Sequence, residues 1–220
     1  MLSASHKSPL GHIAAQLIVR LKNMLALIVV AHPSMSSFSH AMATVAQDIL
    51  SARGYSIATH DLYAEIFDPV QSAVESSNTT SNDALVEQHC ADLVRADLIL
   101  IFHPNWWSQP PAILKGWVDR VFRLNTAYGY PLNAGFEAVP VGLLKARAAL
   151  VFNTSNTPMD RELAIFGDPL DRLWKTSIFG LCGVERVTRR MFAPVSSSTA
   201  AERESWLSEV KELVKHAAEA

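Results

Sequence analysis

The chain has 220 residues, 19 Lys and Arg against 21 Asp and Glu, a net charge of −2 and a pI near 6.4. That length supports one sizeable α/β domain with its own core, and the near-neutral balance points away from nucleic acid and anionic membrane surfaces. Cys90 and Cys182 sit in apolar, helix-like contexts without metal-ligand spacing, so they read as buried free thiols of a reducing compartment. No apolar run approaches the ~20 residues that span a bilayer.

Residues 1–23 read as an N-terminal extension: a tail-like Ser/His/Lys stretch, then a short apolar patch from Ile13 to Leu21 with no clear signal-peptide cleavage site. Met24 stands directly before the first strand and is an alternative start. The domain itself runs over 24–220.

Met24 to Ala31 has the continuous apolar pattern of a buried parallel strand. His32-Pro-Ser-Met-Ser-Ser-Phe-Ser39 follows, then a helical pattern to Arg53 stopped by Gly54. Tyr55–Asp61 alternates as a second strand, and 67–81 is polar and loop-like. Asn82 is placed to cap a helix with Leu85, Val86, His89, Cys90 and Leu93 on one side. Leu98–His103 is another buried strand. It leads through Pro104-Asn-Trp-Trp-Ser-Gln109 into a helix whose apolar stripe is Ile113, Leu114, Trp117, Val118, Val121 and Phe122, with Pro110 and Pro111 expected in its first turn. Residues 123–146 form a long irregular segment, a length that usually signals function. Ala148–Phe152 is a strand ending in Asn153-Thr-Ser-Asn-Thr-Pro158. Asp168-Pro169 opens a helix through Phe179, Val184–Phe192 is the last strand, and Thr199-Ala-Ala-Glu202 is a capping box for the terminal helix. About five strand–helix repeats without a linker predict a doubly wound parallel sheet with helices on both faces.

Ligands of such sheets bind at the carboxyl ends of the strands, where the strand order reverses. Three loops there carry unusual residues: 32–39, 104–109 and 153–158. The first has neither GxGxxG nor GxxxxGK[ST], which disfavours a Rossmann site and a P-loop. Its serines at a helix start suit an anion, or simply cap the helix. Trp106 and Trp107 suit a planar ring, or packing. Asn153 to Asn156 suit a carbonyl-bearing ring, or turn formation.

The segments Ala26-Leu-Ile-Val-Val-Ala-His32 with Ser37-Phe38, Asp61-Leu-Tyr63, Ala96-Asp-Leu-Ile99, Pro104 with its tryptophans, Pro111-Ala-Ile-Leu-Lys-Gly-Trp117-x-x-Arg120-Val-Phe122 and Ala127-Tyr-x-Tyr130 resemble the NAD(P)H:quinone oxidoreductase family. The likeness covers roughly 24–195. It implies a flavodoxin-like five-stranded parallel sheet, a bound FAD (alternatively FMN), NAD(P)H as co-substrate, and hydride transfer through the flavin to a quinone or similar flat acceptor in ping-pong turnover. It also implies a cytoplasmic homodimer. By position, His32, Ser37, Phe38 and Ser39 would hold the flavin phosphate. Pro104, Asn105, Trp106 and Trp107 would contact the ring, and Asn153, Thr154, Ser155 and Asn156 would border its other edge. Asp119 matches an acidic position near the nucleotide end in FAD-using members. Tyr128 and Tyr130 would line a substrate pocket at the dimer interface and, with Asn156, are the candidate catalytic residues.

One segment departs from the pattern. The quinone reductase branch carries Thr-Thr-Gly-Gly, then a tyrosine and a histidine credited with proton transfer. Here the loop reads Asn153-Thr-Ser-Asn156, then Thr157-Pro-Met-Asp160, with Phe166 near the histidine position. Water, Tyr128 or Tyr130 are left as proton sources. The main rival is a flavoprotein subunit that regulates a membrane transporter. A one-electron flavodoxin carrier, usually strongly acidic, fits a charge of −2 poorly.

Overall fold

A strand that is apolar at every position needs cover on both faces, and this requirement organises the molecule. In the computed structural model, which describes residues 24–77, 80–131 and 138–219, strands β1 (Leu25–Val30), β3 (Leu98–Pro104) and β6 (Ala148–Thr154) are buried along their whole length. They form the centre of a five-stranded parallel sheet in the order β2-β1-β3-β6-β7, with β2 (Ser56–Asp61) and β7 (Val187–Phe192) as half-exposed edges. The expected five-stranded doubly wound sheet is the observed one.

Alternate residues of each strand serve two separate cores. Leu27, Val29, Ile99, Ile101, Ala149 and Val151 pack with Val86, Trp117, Trp174 and Phe179 on one face. Ala26, Ile28, Leu100, Leu150, Phe152 and Phe192 pack with Met42, Leu50 and Val210 on the other. The first face is covered by α3 (Ala84–Arg95), α4 (Ala112–Val121) and, after the short α5 (Met159–Arg161), the segment α6 (Pro169–Arg172) with its π-helical continuation Leu173–Gly180; the second by α1 (Phe38–Ala52) and α7 (Ala200–Glu219). The cysteines are buried as expected, and burial pushes both thiols up to about 11.

Ser37 caps α1, accepting from the His40 amide, and Gly54 at φ +83° takes the left-handed turn that closes it. The capping box of α7 forms as expected: Glu202 N donates to Thr199 Oγ1 at 3.2 Å and Thr199 N to Glu202 Oε2 at 2.7 Å. Four expectations need correction. Asp83, not Asn82, caps α3, because its carboxylate accepts from Leu85 N at 3.0 Å. Pro110 and Pro111 lie before the first turn of α4: Pro111 is the cap residue, its carbonyl accepting from Leu114 and Lys115. The polar stretch 67–81 contains the short helix α2 (Ala73–Ser77), held by Glu75. The last strand starts at Val187, after a turn at Cys182–Gly183. Within 123–146 the described residues include a small hairpin, β4 (Tyr128–Gly129) with β5 (Val141–Gly142). Residues 1–23 and 132–137 lie outside the described residues.

Gly116 explains one position of the Pro-Ala-Ile-Leu-Lys-Gly-Trp block. A β-carbon there would stand 2.2 Å from the Pro69 carbonyl oxygen and 2.5 Å from its Cα, so loop backbone lies directly on α4. Gly116→Ala should therefore destabilise the protein by about 2 kcal/mol, although alanine gains up to about 1 kcal/mol of helix propensity. Urea unfolding measures it; a stability equal to wild type would mean the loop yields.

Candidate functional site

The order reverses between β1, which leads outward to β2, and β3, which leads to β6. Parallel register sets the ends of β3 and β6 side by side, His103 opposite Asn153 and Pro104 opposite Thr154. The chain stays tied just beyond: Asn105 N donates to Thr154 O at 2.6 Å, and Ser155 N to Phe192 O at 3.0 Å. The expected residues 32–39, 104–107 and 153–156 therefore emerge at one rim of the sheet.

Each of the three segments carries a buried polar atom with no protein partner: Ser39 Oγ, Asn105 Oδ1 and Asn153 Nδ2. For Asn153 the cause is visible. Arg189 on β7, itself held by Asp168 and by Asp171 at 3.4 Å, donates to Asn153 Oδ1 at 2.6 Å, which leaves the amide nitrogen unmatched. His32 accepts from Ser34 N at 3.0 Å through Nδ1, so the neutral ring carries its proton on Nε2. Burial lowers the His32 pKa, favouring that neutral form. His103 beneath the rim is fully engaged: Trp174 Nε1 donates to its Nε2 at 3.1 Å and its Nδ1 pairs with Pro104 O at 2.8 Å. Burial pushes it down to about 4, so it stands as a neutral structural group. Phe38 packs edge-on against Phe192 and Trp206.

The tryptophan loop is a tight hairpin. Trp106 and Gln109 exchange both backbone hydrogen bonds at 3.0 Å, and the two residues between them, Trp107 and Ser108, both sit at φ +56°. Two-residue hairpins of this kind, with positive φ at both central positions, normally use glycine, asparagine or aspartate there. Side chains there cost of order 1–3 kcal/mol each, so something must hold the turn. The Ser108 hydroxyl donates to Glu162 Oε1 at 2.7 Å, and Glu162, on the π-helical turn 162–166 after β6, is only 1% exposed. A hydrogen bond to a charged group contributes about 1.5–3 kcal/mol, comparable with the strain. The clamp leaves Trp106 42% and Trp107 98% exposed, with Phe166 one turn beyond Glu162.

Asp119, Tyr128 and Tyr130 are not brought to this rim within one chain. Helix α4 starts at the rim and runs about 15 Å back along the sheet. The hairpin beyond it packs Gly142 against Gly183 and donates Leu144 N to Cys182 O, before the start of β7. There Gln71, Glu75, Asp119, Arg123 and Tyr128 line a separate cavity of about 440 Å³. Asp119 pairs with Lys115 at 2.6 Å, and Tyr128 stacks edge-on with Tyr130. Arg120 binds Glu75 at 2.7 Å and Asp83 at 3.2 Å beneath that cavity.

A third polar group lies at the end of β2. His60, Glu65 and His89 offer ligand atoms within 4.8 Å of one another, but the hydrogen bonds argue against a metal. Trp117 Nε1, a donor only, points at His89 Nδ1 at 2.9 Å. A neutral His89 must then keep its proton on Nε2, the nitrogen that faces Glu65. Burial opposes ionisation of Glu65, yet the two imidazoles outweigh it and hold that carboxyl at about 2.

Sequence reasoning missed His40, Ser108, Glu162 and Arg189. Only His40 left a local trace, three residues after the cap at Ser37.

The flavodoxin-like fold family matches residues 24–214. The chain belongs to that family, in its NAD(P)H:quinone oxidoreductase branch. It is 33% identical over 175 residues to an uncharacterised NAD(P)H oxidoreductase of Haemophilus influenzae, covering 77% of this chain and 83% of that one. It is 32% identical over 196 residues to human ribosyldihydronicotinamide dehydrogenase [quinone], covering 78% and 83%. Among solved structures, the NAD(P)H:quinone oxidoreductase of Methanothermobacter marburgensis superposes with a TM-score of 0.72 at 25% identity, over 87% of this chain and 98% of the other. The protein is accordingly an oxidoreductase of the NAD(P)H dehydrogenase (quinone) type. Among the described residues, no helix is long and apolar enough to cross a membrane.

Two measurements test these assignments. Hydrogen bonds from Arg120 hold Glu75 at about 2 in the folded protein against an ordinary 4.5. Its stabilisation is therefore present above pH 4.5 and lost as pH falls toward 2. Glu75→Gln should lower stability at neutral pH and flatten the acid limb of the stability curve; an acid limb identical to wild type would refute the pairing. Glu162→Ala should speed amide exchange at Trp106 and Gln109 by at least about tenfold, the factor that follows from losing about 1.5 kcal/mol or more of local stability. Glu162→Gln, which keeps an acceptor, should stay near wild type, and equal exchange in all three would rule out the clamp.

Proposed function

We propose that this oxidoreductase is a flavoprotein that carries two electrons as hydride from NAD(P)H to a quinone or similar flat acceptor in ping-pong turnover, working as a homodimer. The observation that carries the reading is the trio of buried, unmatched polar atoms at Ser39, Asn105 and Asn153, one on each converging segment. Buried polar atoms almost always have partners, so three orphans around one rim support a polar ligand that supplies them, and the donor set fits a flavin.

Ser37, Phe38 and Ser39 at the start of α1 would hold the phosphate end, where unpaired amides and the helix dipole favour an anion. His32 would add its Nε2 proton. Pro104, Asn105, Trp106 and Trp107 would address one side of the ring, and Asn153, Thr154, Ser155 and Asn156 its opposite edge. When bound, the flavin supplies the hydride chemistry that no side chain provides. The protein's part is to orient it, keep water away and place donors where charge develops. Asn153 suits that last task, since Arg189 fixes its amide with the nitrogen free.

Tyr128 and Tyr130 lie past the far end of α4, so they would reach the rim only from a second copy. Exposed Trp107, Leu163, Ile165, Phe166, Tyr130 and Leu143 suit such a partner. Neither Asp160 nor Phe166 can replace a tyrosine–histidine proton relay, and His103 has both nitrogens engaged. Protons would then come from water or from a tyrosine of the second copy. FAD is the flavin favoured by the resemblance, with FMN the alternative.

Purified protein should be yellow and oxidise NADPH with menadione at roughly 10 turnovers per second or more. Chromatography of the heat-released flavin distinguishes FAD from FMN. Trp106→Ala should lower flavin retention or turnover several-fold with unchanged thermal stability. A folded, colourless protein that takes up neither flavin would overturn the reading.

A further inference from the structure

Three side chains stand in line at the start of α1. Ser37 Oγ is 2.8 Å from His40 Nδ1, and His40 Nε2 is 2.9 Å from Asp61 Oδ2. This contact is largely buried, at 13% and 15% side-chain exposure. Asp61 is held in turn, its other oxygen accepting from the amides of Tyr63 and Ala64 at 3.2 Å. His32 meets the His40 ring edge-on at 6.5 Å and, with Asp61, is the titratable neighbour that faces it. On the same first turn, Ser39 is fully buried and its hydroxyl has no partner.

The hydrogen bonds fix one proton of His40 and tie the direction of the Ser37 contact to the charge of the ring. A carboxylate only accepts, so His40 Nε2 carries a proton toward Asp61. A neutral His40 then has a bare Nδ1, and the one hydroxyl proton of Ser37 is committed to it. The oxygen of Ser37 already accepts from the His40 amide, as the helix cap. In that state Ser37 turns electron pairs, not a proton, toward any ligand. If Nδ1 gains a proton, the imidazolium donates to Ser37 Oγ and the hydroxyl proton is freed to point outward. Asp61 on the far side offsets the new charge.

We propose that His40, backed by Asp61, is a positioning residue for a phosphate monoester or diphosphate at the α1 N-terminus, and that binding of this anion is coupled to uptake of one proton at His40 Nδ1. The inference rests on the reading of that terminus as the flavin phosphate subsite and adds a residue and a proton to it. The balance is simple. One proton moves from solvent to Nδ1, no covalent bond to carbon or phosphorus changes, and the Ser37 hydroxyl turns its existing proton from Nδ1 to a phosphate oxygen. The net charge brought in by the ligand falls by one.

Riboflavin carries the ring without the phosphate, so comparing it with FMN isolates this subsite. Calorimetry at pH 8 in buffers of different ionisation enthalpy should show about one proton taken up per FMN bound and none per riboflavin. FMN affinity should fall at least tenfold between pH 6.5 and 8.5, while riboflavin affinity stays flat. His40→Gln, which keeps hydrogen bonding without a titratable proton, should abolish the uptake and flatten the pH profile. It should weaken FMN about tenfold and leave riboflavin binding and melting temperature near wild type. His40→Leu, which also leaves Asp61 without its partner, should likewise abolish the uptake and flatten the pH profile, with a lower melting temperature.

Nitrogen NMR of His40 reads the protonation of Nδ1 directly, with FMN or inorganic phosphate as the probe. Protonation on addition of either supports the proposal. A protein that binds neither flavin defeats the flavin reading alone, since the phosphate arm still decides this one. A His40 ring unchanged by both anions, or FMN-to-riboflavin selectivity and proton uptake unchanged in His40→Gln, overturns it.

Discussion

The register between β3 and β6 is the constraint from which the site follows. Seven consecutive pairs, from Leu98 with Ala148 to Pro104 with Thr154, lock two wholly buried strands together. A slip of one residue would turn every apolar side chain to the wrong core. Because that pairing is so strongly specified, the two chains leave the sheet at one level, and the Asn105–Thr154 hydrogen bond keeps them together beyond it. Polar side chains then arrive where backbone and packing have no further use for them. The unmatched atoms of Asn105 and Asn153 are a product of that alignment.

Below the rim, charge is handled with care. His103 could threaten a buried site with a stray proton, but two hydrogen bonds of opposite sense hold it neutral. Arg189 is nearly inaccessible, yet Asp168 and Asp171 accompany it and the Asn153 carbonyl takes its third contact. The same logic governs His89 under Trp117, where the indole chooses the tautomer. Proton positions around these buried rings are thus dictated by donors that cannot act as acceptors.

The sheet and its helices were legible because their signals are local and periodic: continuous apolar runs for β1, β3 and β6, a 3.6-residue stripe for α4, and Thr199 with Glu202 for α7. The misses have physical causes. Asn82 and Asp83 are both good caps, and only geometry selects the second. The hairpin at Trp106–Gln109 lacks the glycine that normally announces positive φ, since its turn is held by a glutamate 54 residues from Ser108. His40 looked like an ordinary helix residue, for its partner Asp61 comes from the next strand. Family likeness supplied the grouping of Tyr128 with the rim. Within one chain the fold separates them by the length of α4, a distance no spacing in the sequence reveals.

Burial also settles the chemistry of Cys90 and Cys182. Thiols react with peroxide as thiolates, and at about 11 each would be ionised to only about one part in ten thousand at pH 7. With both sulfurs sealed in the core and chemically quiet, neither offers a thiolate that an oxidant could readily attack.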